Sequence, residues 1–210
     1  MLKILIADDH DVVQKGLRQI LTDEFGEIEF GQAKNTAEAL EVVKKKKWDV
    51  MVLDISMPGR SGLDVLKEVK QNYPHIPVLV LSVHPEDQYA VRALKAGASG
   101  YLTKDSASEE LVKAVRQLCD GRKFVSQSLA EKLASLLDKE AEQSPSDLLS
   151  DREFQVLRMI AAGKSIKEIA DELSLSIKTV STYRTRILEK LNIRTNAQLM
   201  QYAIQQGLTT

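Results

Sequence analysis

The 210-residue sequence predicts a doubly wound sheet of five parallel strands with helices on both faces, followed by a smaller all-helical unit. Three observations carry that prediction. Short apolar runs of strand length alternate with stretches of helical periodicity up to about residue 118. Those runs stop abruptly at acids or hydroxyl residues. Beyond Ser150 the strand signal disappears and helix start signals repeat.

In chain order, residues 3–7 (KILIA) form an apolar run that stops at Asp8-Asp9. Val12, Val13, Leu17, Ile20 and Leu21 then recur at helical spacing. Residues 28–31 give a weaker strand and 36–46 a helix. Residues 50–53 (VMVL) are short enough for a strand buried on both faces, ending at Asp54, with Pro58 and Gly59 turning the chain. Leu63, Val65, Leu66 and Val69 mark the next helix, residues 77–81 (PVLVL) a fourth strand ending at Ser82, and Tyr89, Val91 and Leu94 another helix. Residues 100–102 are a fifth strand before Thr103-Lys104, and residues 109–118 close the sheet unit as a helix. Strands alternating with helices imply parallel pairing through right-handed crossovers.

The first unit is expected over residues 1–122 and the helical unit over 148–210. Between them, residues 123–147 are expected to be a linker with a short helix. Its core, 138–147, has no large apolar residue and contains Ser144-Pro145, while Leu129, Leu133, Leu136 and Leu137 repeat at helical spacing just before it. That stripe must be buried on one of the two units or on a second copy, and the sequence leaves the choice open.

Composition bounds the partners. The net charge of -1 conceals an asymmetry: residues 150–210 hold nine Lys/Arg against six Asp/Glu, and residues 1–149 hold 20 against 24. The single cysteine, Cys119, excludes an internal disulfide framework and is expected to be a buried thiol in a reducing compartment. No stretch reads as a signal peptide or approaches the roughly 20 apolar residues of a membrane span, so a cytoplasmic location is expected. Lys44–Lys47 read as a solvated helix end, and His10, His75 and His84 have no metal-ligand spacing, so none is assigned to a metal.

A parallel sheet points every strand's carboxyl end the same way. Asp8, Asp9, Asp54, Ser82 and Lys104 are therefore gathered on one edge. Converging carboxylates repel and require a cation, and an all-oxygen cluster suits Mg²⁺. Lys104 adds a fixed positive charge and Ser82 a hydroxyl. These are the parts of a phosphoryl-transfer site with a carboxylate acceptor.

Asp8-Asp9, the VLDISMPGRSG stretch around Asp54, Ser82 after PVLVL, and Gly97-Ala98 to Tyr101-Leu102-Thr103-Lys104 together resemble the receiver domain of bacterial two-component response regulators, a CheY-like, flavodoxin-like fold. The resemblance implies that Asp54 is the phosphoacceptor, that Asp9, Asp54 and the Ser56 carbonyl ligate Mg²⁺, and that Asp8 assists through a water. It implies that Lys104 contacts the phosphoryl group and that Ser82 and Tyr101 are the hydroxyl and aromatic switch positions. A haloacid-dehalogenase-type phosphatase shares the aspartyl nucleophile and Mg²⁺, but it carries a second Asp two residues on, where this chain has Ser56. An enzyme is therefore not expected.

In the second unit, Ser150-x-x-Glu153, Ser165-x-x-Glu168 and Thr195-x-x-Gln198 read as capping boxes, with Gly163 and Gly207 at helix ends. The connection at Ser174–Ser176 has helix-turn-helix length. The following helix places Lys178, Thr182, Thr185, Arg186 and Glu189 opposite Val180, Ile187 and Leu191, a small and mostly basic outer face suited to a major groove.

The order of residues from Leu149 to Leu191 resembles the LuxR-type helix-turn-helix domain of the NarL/FixJ family. That resemblance implies that Ser181, Thr182 and Thr185 face base edges, while Lys178, Thr179, Tyr183, Arg186 and Lys190 hold the DNA backbone. The last helix, with Leu199, Met200, Ala203 and Ile204, resembles the family's dimerisation helix; core packing alone is the competing reading.

The chain is thus expected to be a DNA-binding transcriptional regulator. Its expected partners are a sensor histidine kinase or phosphotransfer protein, double-stranded promoter DNA, RNA polymerase and a second copy of itself. A signalling module whose C-terminal helices bind protein is the alternative.

Overall fold

The structure, a computed structural model, describes residues 1–57, 59–138 and 148–208. The turn expected at Pro58 and the linker stretch 139–147 lie outside the described residues. The chain divides into two compact units, Met1–Asp138 and Lys139–Thr210.

The first unit runs β1 (Leu2–Ala7), α1 (Asp11–Phe25), β2 (Ile28–Ala33), α2 (Thr36–Lys45), β3 (Val50–Asp54), α3 (Gly62–Asn72), β4 (Val78–Ser82), α4 (Glu86–Lys95), β5 (Gly100–Thr103), α5 (Ala107–Cys119) and α6 (Gln127–Asp138). All five strands pair in parallel in the order β2-β1-β3-β4-β5. β1 is therefore flanked by both of its successors, and the crossovers depart to opposite sides at β1/β3. That reversal opens a crevice at the carboxyl ends.

Side chains alternate across the sheet. Ile4, Ile6, Val50, Val52, Leu79, Leu81 and Leu102 meet Leu17 and Leu21 of α1 and Leu111, Ala114, Val115 and Leu118 of α5. α2, α3 and α4 cover the other face, where Leu5, Met51, Leu53, Val80 and Tyr101 are buried. β3 and β4 are buried along their whole length, as their uninterrupted apolar runs require.

One expectation is corrected, for Cys119, and others gain detail. α4 buries Tyr89, Ala90 and Ala93, while Val91 and Leu94 are only half-buried, because small alanines permit the close approach to β5. Cys119 is exposed, not buried. It follows Leu118 by one residue, about 100° around a helix whose apolar face is already taken. α6 lies against α4 with Leu129 buried, so its stripe begins on the first unit. Residues 123–126 lead into it along the β5 edge, with a bridge between Gly100 and Phe124.

The second unit contains α7 (Asp151–Ala161), α8 (Ile166–Glu172), α9 (Ile177–Lys190) and α10 (Asn196–Gln205). Ser150 with Glu153 and Ser165 with Glu168 form complete capping boxes. Thr195 caps α10 by accepting from the Gln198 N–H, but the Gln198 side chain reaches the Arg194 N–H instead of closing the box. The core includes Phe154, Leu157, Ile169, Val180, Ile187, Leu199 and Ala203.

Candidate functional site

Each acid at the crevice is placed by the end of a strand. Asp8 follows β1, its N–H bonded to the Ala33 carbonyl at the end of β2. Gln14, one turn into α1, donates to the carbonyls of Asp8 and Ala33 and so locks the strand end against the helix. Asp54 is the last residue of β3, and its Oδ1 accepts the Ser56 N–H at 2.7 Å. Gly62 permits the following loop to lie on α3: a Cβ there would stand 2.3 Å from the Ile55 Cα.

Lys104, just past β5, reaches back across the edge. Its ammonium lies 2.7 Å from Asp54 Oδ2 and 2.7 Å from Asp8 Oδ2. Both acids are 1% exposed. Burial pushes the Asp54 carboxyl above its usual value, against the opposing pull of Lys104 and the Ser56 N–H. For Lys104 burial acts downward, but the attraction of Asp54 and Asp8 and the hydrogen bond it donates to Asp54 outweigh it, and its pKa is raised. Lys104 is thus a fixed cation beside a carboxylate that burial makes costly to ionise.

Oxygens of Asp8, Asp9 and Asp54 and a His10 ring nitrogen all lie within 4.8 Å of one another. Asp8 Oδ2 and Asp9 Oδ1 are buried without an aligned hydrogen bond; Lys104 at 2.7 Å and His10 at 2.9 Å stand off the bonding direction. Lone pairs left open in an oxygen cluster fit a hard divalent cation. This acidic cluster is one that can hold a metal ion. His10 was missed by sequence reasoning. It belongs to the cluster because its N–H caps Asp8 Oδ1 and folds the ring toward Asp9, a contact between neighbours with no spacing signature.

Ser82 ends β4 fully buried, its hydroxyl accepting the His84 N–H. Tyr101 on β5 is also fully buried and donates its hydroxyl to the His84 carbonyl at 2.8 Å. One residue therefore links both: His84 bonds Ser82 through its amide and Tyr101 through its carbonyl, while its ring stacks on Tyr89. Two residues on, Glu86 opens α4 and accepts the hydroxyls of Ser126 and Ser128 at the start of α6.

In the second unit α8, a short turn and α9 form the helix-turn-helix. Ser174 takes a left-handed φ of 53° in the turn, and Ser176 caps α9 through the Thr179 N–H. Lys178, Ser181, Thr182, Thr185, Arg186 and Lys190 are exposed; Thr179 and Tyr183 are half-buried. Lys190 is not a free cation. Its ammonium donates to the Glu153 carboxylate of α7 at 2.7 Å, a pairing distant in sequence. On α10, Leu199 and Ala203 are in the core while Met200 and Ile204 are exposed.

A β1/β3 crevice holding three carboxylates and a lysine, joined to a helix-turn-helix unit, defines a receiver coupled to a DNA-binding effector. Residues 4–116 match the response regulator receiver domain family, and residues 147–203 match the bacterial regulatory proteins of the luxR family. The chain belongs to the two-component response regulators with a LuxR-type helix-turn-helix, and it is a DNA-binding transcriptional regulator.

It is 39% identical over 209 residues to the response regulator GacA of Pseudomonas aeruginosa, spanning 99% of this chain and 98% of that one. To the response regulator UvrY of Escherichia coli K12 it is 36% identical over 209 residues, spanning 99% and 96%. Among solved structures it is similar to RcsB of Salmonella enterica serovar Typhimurium bound to promoter rprA with the phosphomimetic BeF3-. That match has a TM-score of 0.63 and 28% identity over 96% of this chain and 98% of that one. The two-component response regulator RcsB–DNA complex matches with a TM-score of 0.59 and 28% identity over 97% and 98%.

Proposed function

We propose that Asp54 is the phosphoacceptor. A phosphohistidine of a sensor kinase or phosphotransfer protein presents its phosphoryl group at the β1/β3 crevice. The P–N bond breaks, a P–O bond forms to the Asp54 carboxylate, and the histidine nitrogen departs with the bonding electron pair. The observation that carries this reading is the shared hold of Lys104 on Asp54 and Asp8. It keeps a cation where phosphoryl oxygens would arrive and orients the acceptor in a water-poor site.

Asp8, Asp9, Asp54 and the Ser56 carbonyl would hold Mg²⁺, which supplies charge neutralisation for the phosphoryl oxygens when bound. The chain receives a group and does not turn over a substrate. Residues 1–122 act as the receiver, 123–147 as the linker and 148–210 as the DNA-binding domain, in the cytoplasm.

Phosphorylation biases a two-state loop. For the Ser82 hydroxyl to turn to a phosphoryl oxygen it must leave the His84 N–H, and His84 also carries the Tyr101 bond. The β4–α4 loop and the buried Tyr101 therefore move as one. The favoured state is a homodimer on promoter DNA. There Ser181, Thr182 and Thr185 face base edges, and Lys178, Thr179, Tyr183, Arg186 and Lys190 hold the backbone. RNA polymerase is the downstream partner.

The test is intact mass after incubation with acetyl phosphate and Mg²⁺, with Asp54→Asn alongside. Wild type is expected to gain one phosphoryl group and the variant none. Equal labelling of the variant would move the acceptor elsewhere.

A further inference from the structure

Two threonines on the exposed face of α9 have already committed their hydroxyl protons. Thr182 Oγ1 donates to the Lys178 carbonyl at 2.9 Å, and Thr185 Oγ1 donates to the Ser181 carbonyl at 3.1 Å. Each bond runs back one turn of the same helix, from residue i to i−4. A hydroxyl has one proton. With it directed along the helix, each side chain offers the outside only an acceptor lone pair and the methyl group, the other substituent on the same Cβ. Thr182 and Thr185 are three residues apart and lie on one side of the helix.

The major groove sorts base pairs by this chemistry. A G·C pair exposes the guanine N7 and O6 acceptors, which need donors that these threonines lack, together with the cytosine N4 amino donor. An A·T pair exposes the adenine N6 amino donor and the thymine C5 methyl. The acceptor lone pair can take either amino donor, so the methyl beside it, which finds a partner only in the thymine methyl, is what separates the two pairs.

We propose that Thr182 and Thr185 are specificity-determining residues that select A·T pairs, chiefly by contact of their methyl groups with the thymine methyl. This rests on the reading of α9 as the major-groove helix. The basic residues Lys178 and Arg186 on the same helix supply sequence-independent hold on phosphates; the threonines supply discrimination.

The test uses the full chain after incubation with acetyl phosphate and Mg²⁺, and two libraries of random-sequence duplex made with thymine or with uracil, which differ only in the C5 methyl. Burying one methyl is worth about 0.8 kcal/mol, or roughly a fourfold change in affinity. The tightest-binding fraction of the thymine library is expected to bind wild type at least about fourfold better than the same sequences remade with uracil. The double variant Thr182→Ser, Thr185→Ser, which keeps both hydroxyls and loses both methyls, is expected to lose that preference. Thr182→Val with Thr185→Val is expected to keep it whatever its absolute affinity.

Equal binding of both duplexes by wild type would overturn the proposal. So would an undiminished preference in the serine variant, which would assign the methyl effect to DNA shape. Absence of binding to either library would overturn the DNA reading itself, and the proposal with it.

Discussion

The Lys104 ammonium lies 2.7 Å from Asp54 Oδ2, 50 residues away in sequence, and makes the same contact with Asp8. One cation is thus shared by two buried carboxylates. Lys104→Met leaves both acids without their shared cation, and breaking a buried ion pair from one side costs about 3–5 kcal/mol. Urea unfolding in chelator is expected to show a loss of that order, reduced when Mg²⁺ is added. A loss that Mg²⁺ leaves unchanged would count against a cation site at this cluster.

Asp54→Asn is expected to act in the opposite direction. Burial raises the Asp54 pKa in the folded state, so the folded protein holds that proton more tightly than the unfolded chain. Its stabilising contribution is present below the unfolded value near 4 and is lost as pH rises through the raised folded value. At neutral pH without metal, the ionised Asp54 therefore costs stability. The asparagine variant should melt higher than wild type in chelator at pH 7, with the difference shrinking toward pH 4. A variant that melts lower at pH 7 would show that Lys104 already outweighs burial.

Tyr101→Phe removes the hydrogen bond to the His84 carbonyl while keeping the buried ring. The expected cost is about 1 kcal/mol in global stability. Amide exchange over residues 83–86 should rise by more than that loss alone explains, because His84 joins Tyr101 to Ser82. Unchanged local exchange would separate the two switch residues.

These residues show where the sequence is legible and where it stops. The sheet and its active edge follow from strand ends alone, because parallel strands carry Asp8, Asp54, Ser82 and Lys104 to the same side whatever lies between. The partner of a long side chain does not follow. Lys190 reads as one more basic residue on α9, and only the packing of α9 on α7 brings it to Glu153. His10 enters the acidic cluster through a turn two residues long, and Cys119 faces outward because Leu118 already occupies the apolar face. The same limit applies to α6, whose leucine stripe fits any apolar neighbour until Ser126 and Ser128 meet Glu86.

Glu153 closes the α7 capping box and accepts Lys190. Burial pushes its carboxyl up, but Lys190 and the Ser150 groups more than offset that and hold it below its usual value. A lowered folded pKa gives stability that is present above the unfolded value near 4.3 and is lost as pH falls through the folded value. Glu153→Gln should therefore weaken the helical unit by about 0.5–2 kcal/mol at pH 7, the usual cost of a lost cap. Amide exchange over residues 150–208 of the full chain reads this. The wild-type advantage should disappear in acid; an advantage constant with pH would assign the effect to packing.

Control of DNA binding by Asp54 is read most directly from the affinity of the full chain for a mixed genomic duplex before and after incubation with acetyl phosphate and Mg²⁺, in wild type and in Asp54→Asn. Affinity is expected to rise in wild type alone, in step with the gain of one phosphoryl group. A wild type that gains the group with unchanged affinity, or a variant whose affinity rises equally, would contradict it.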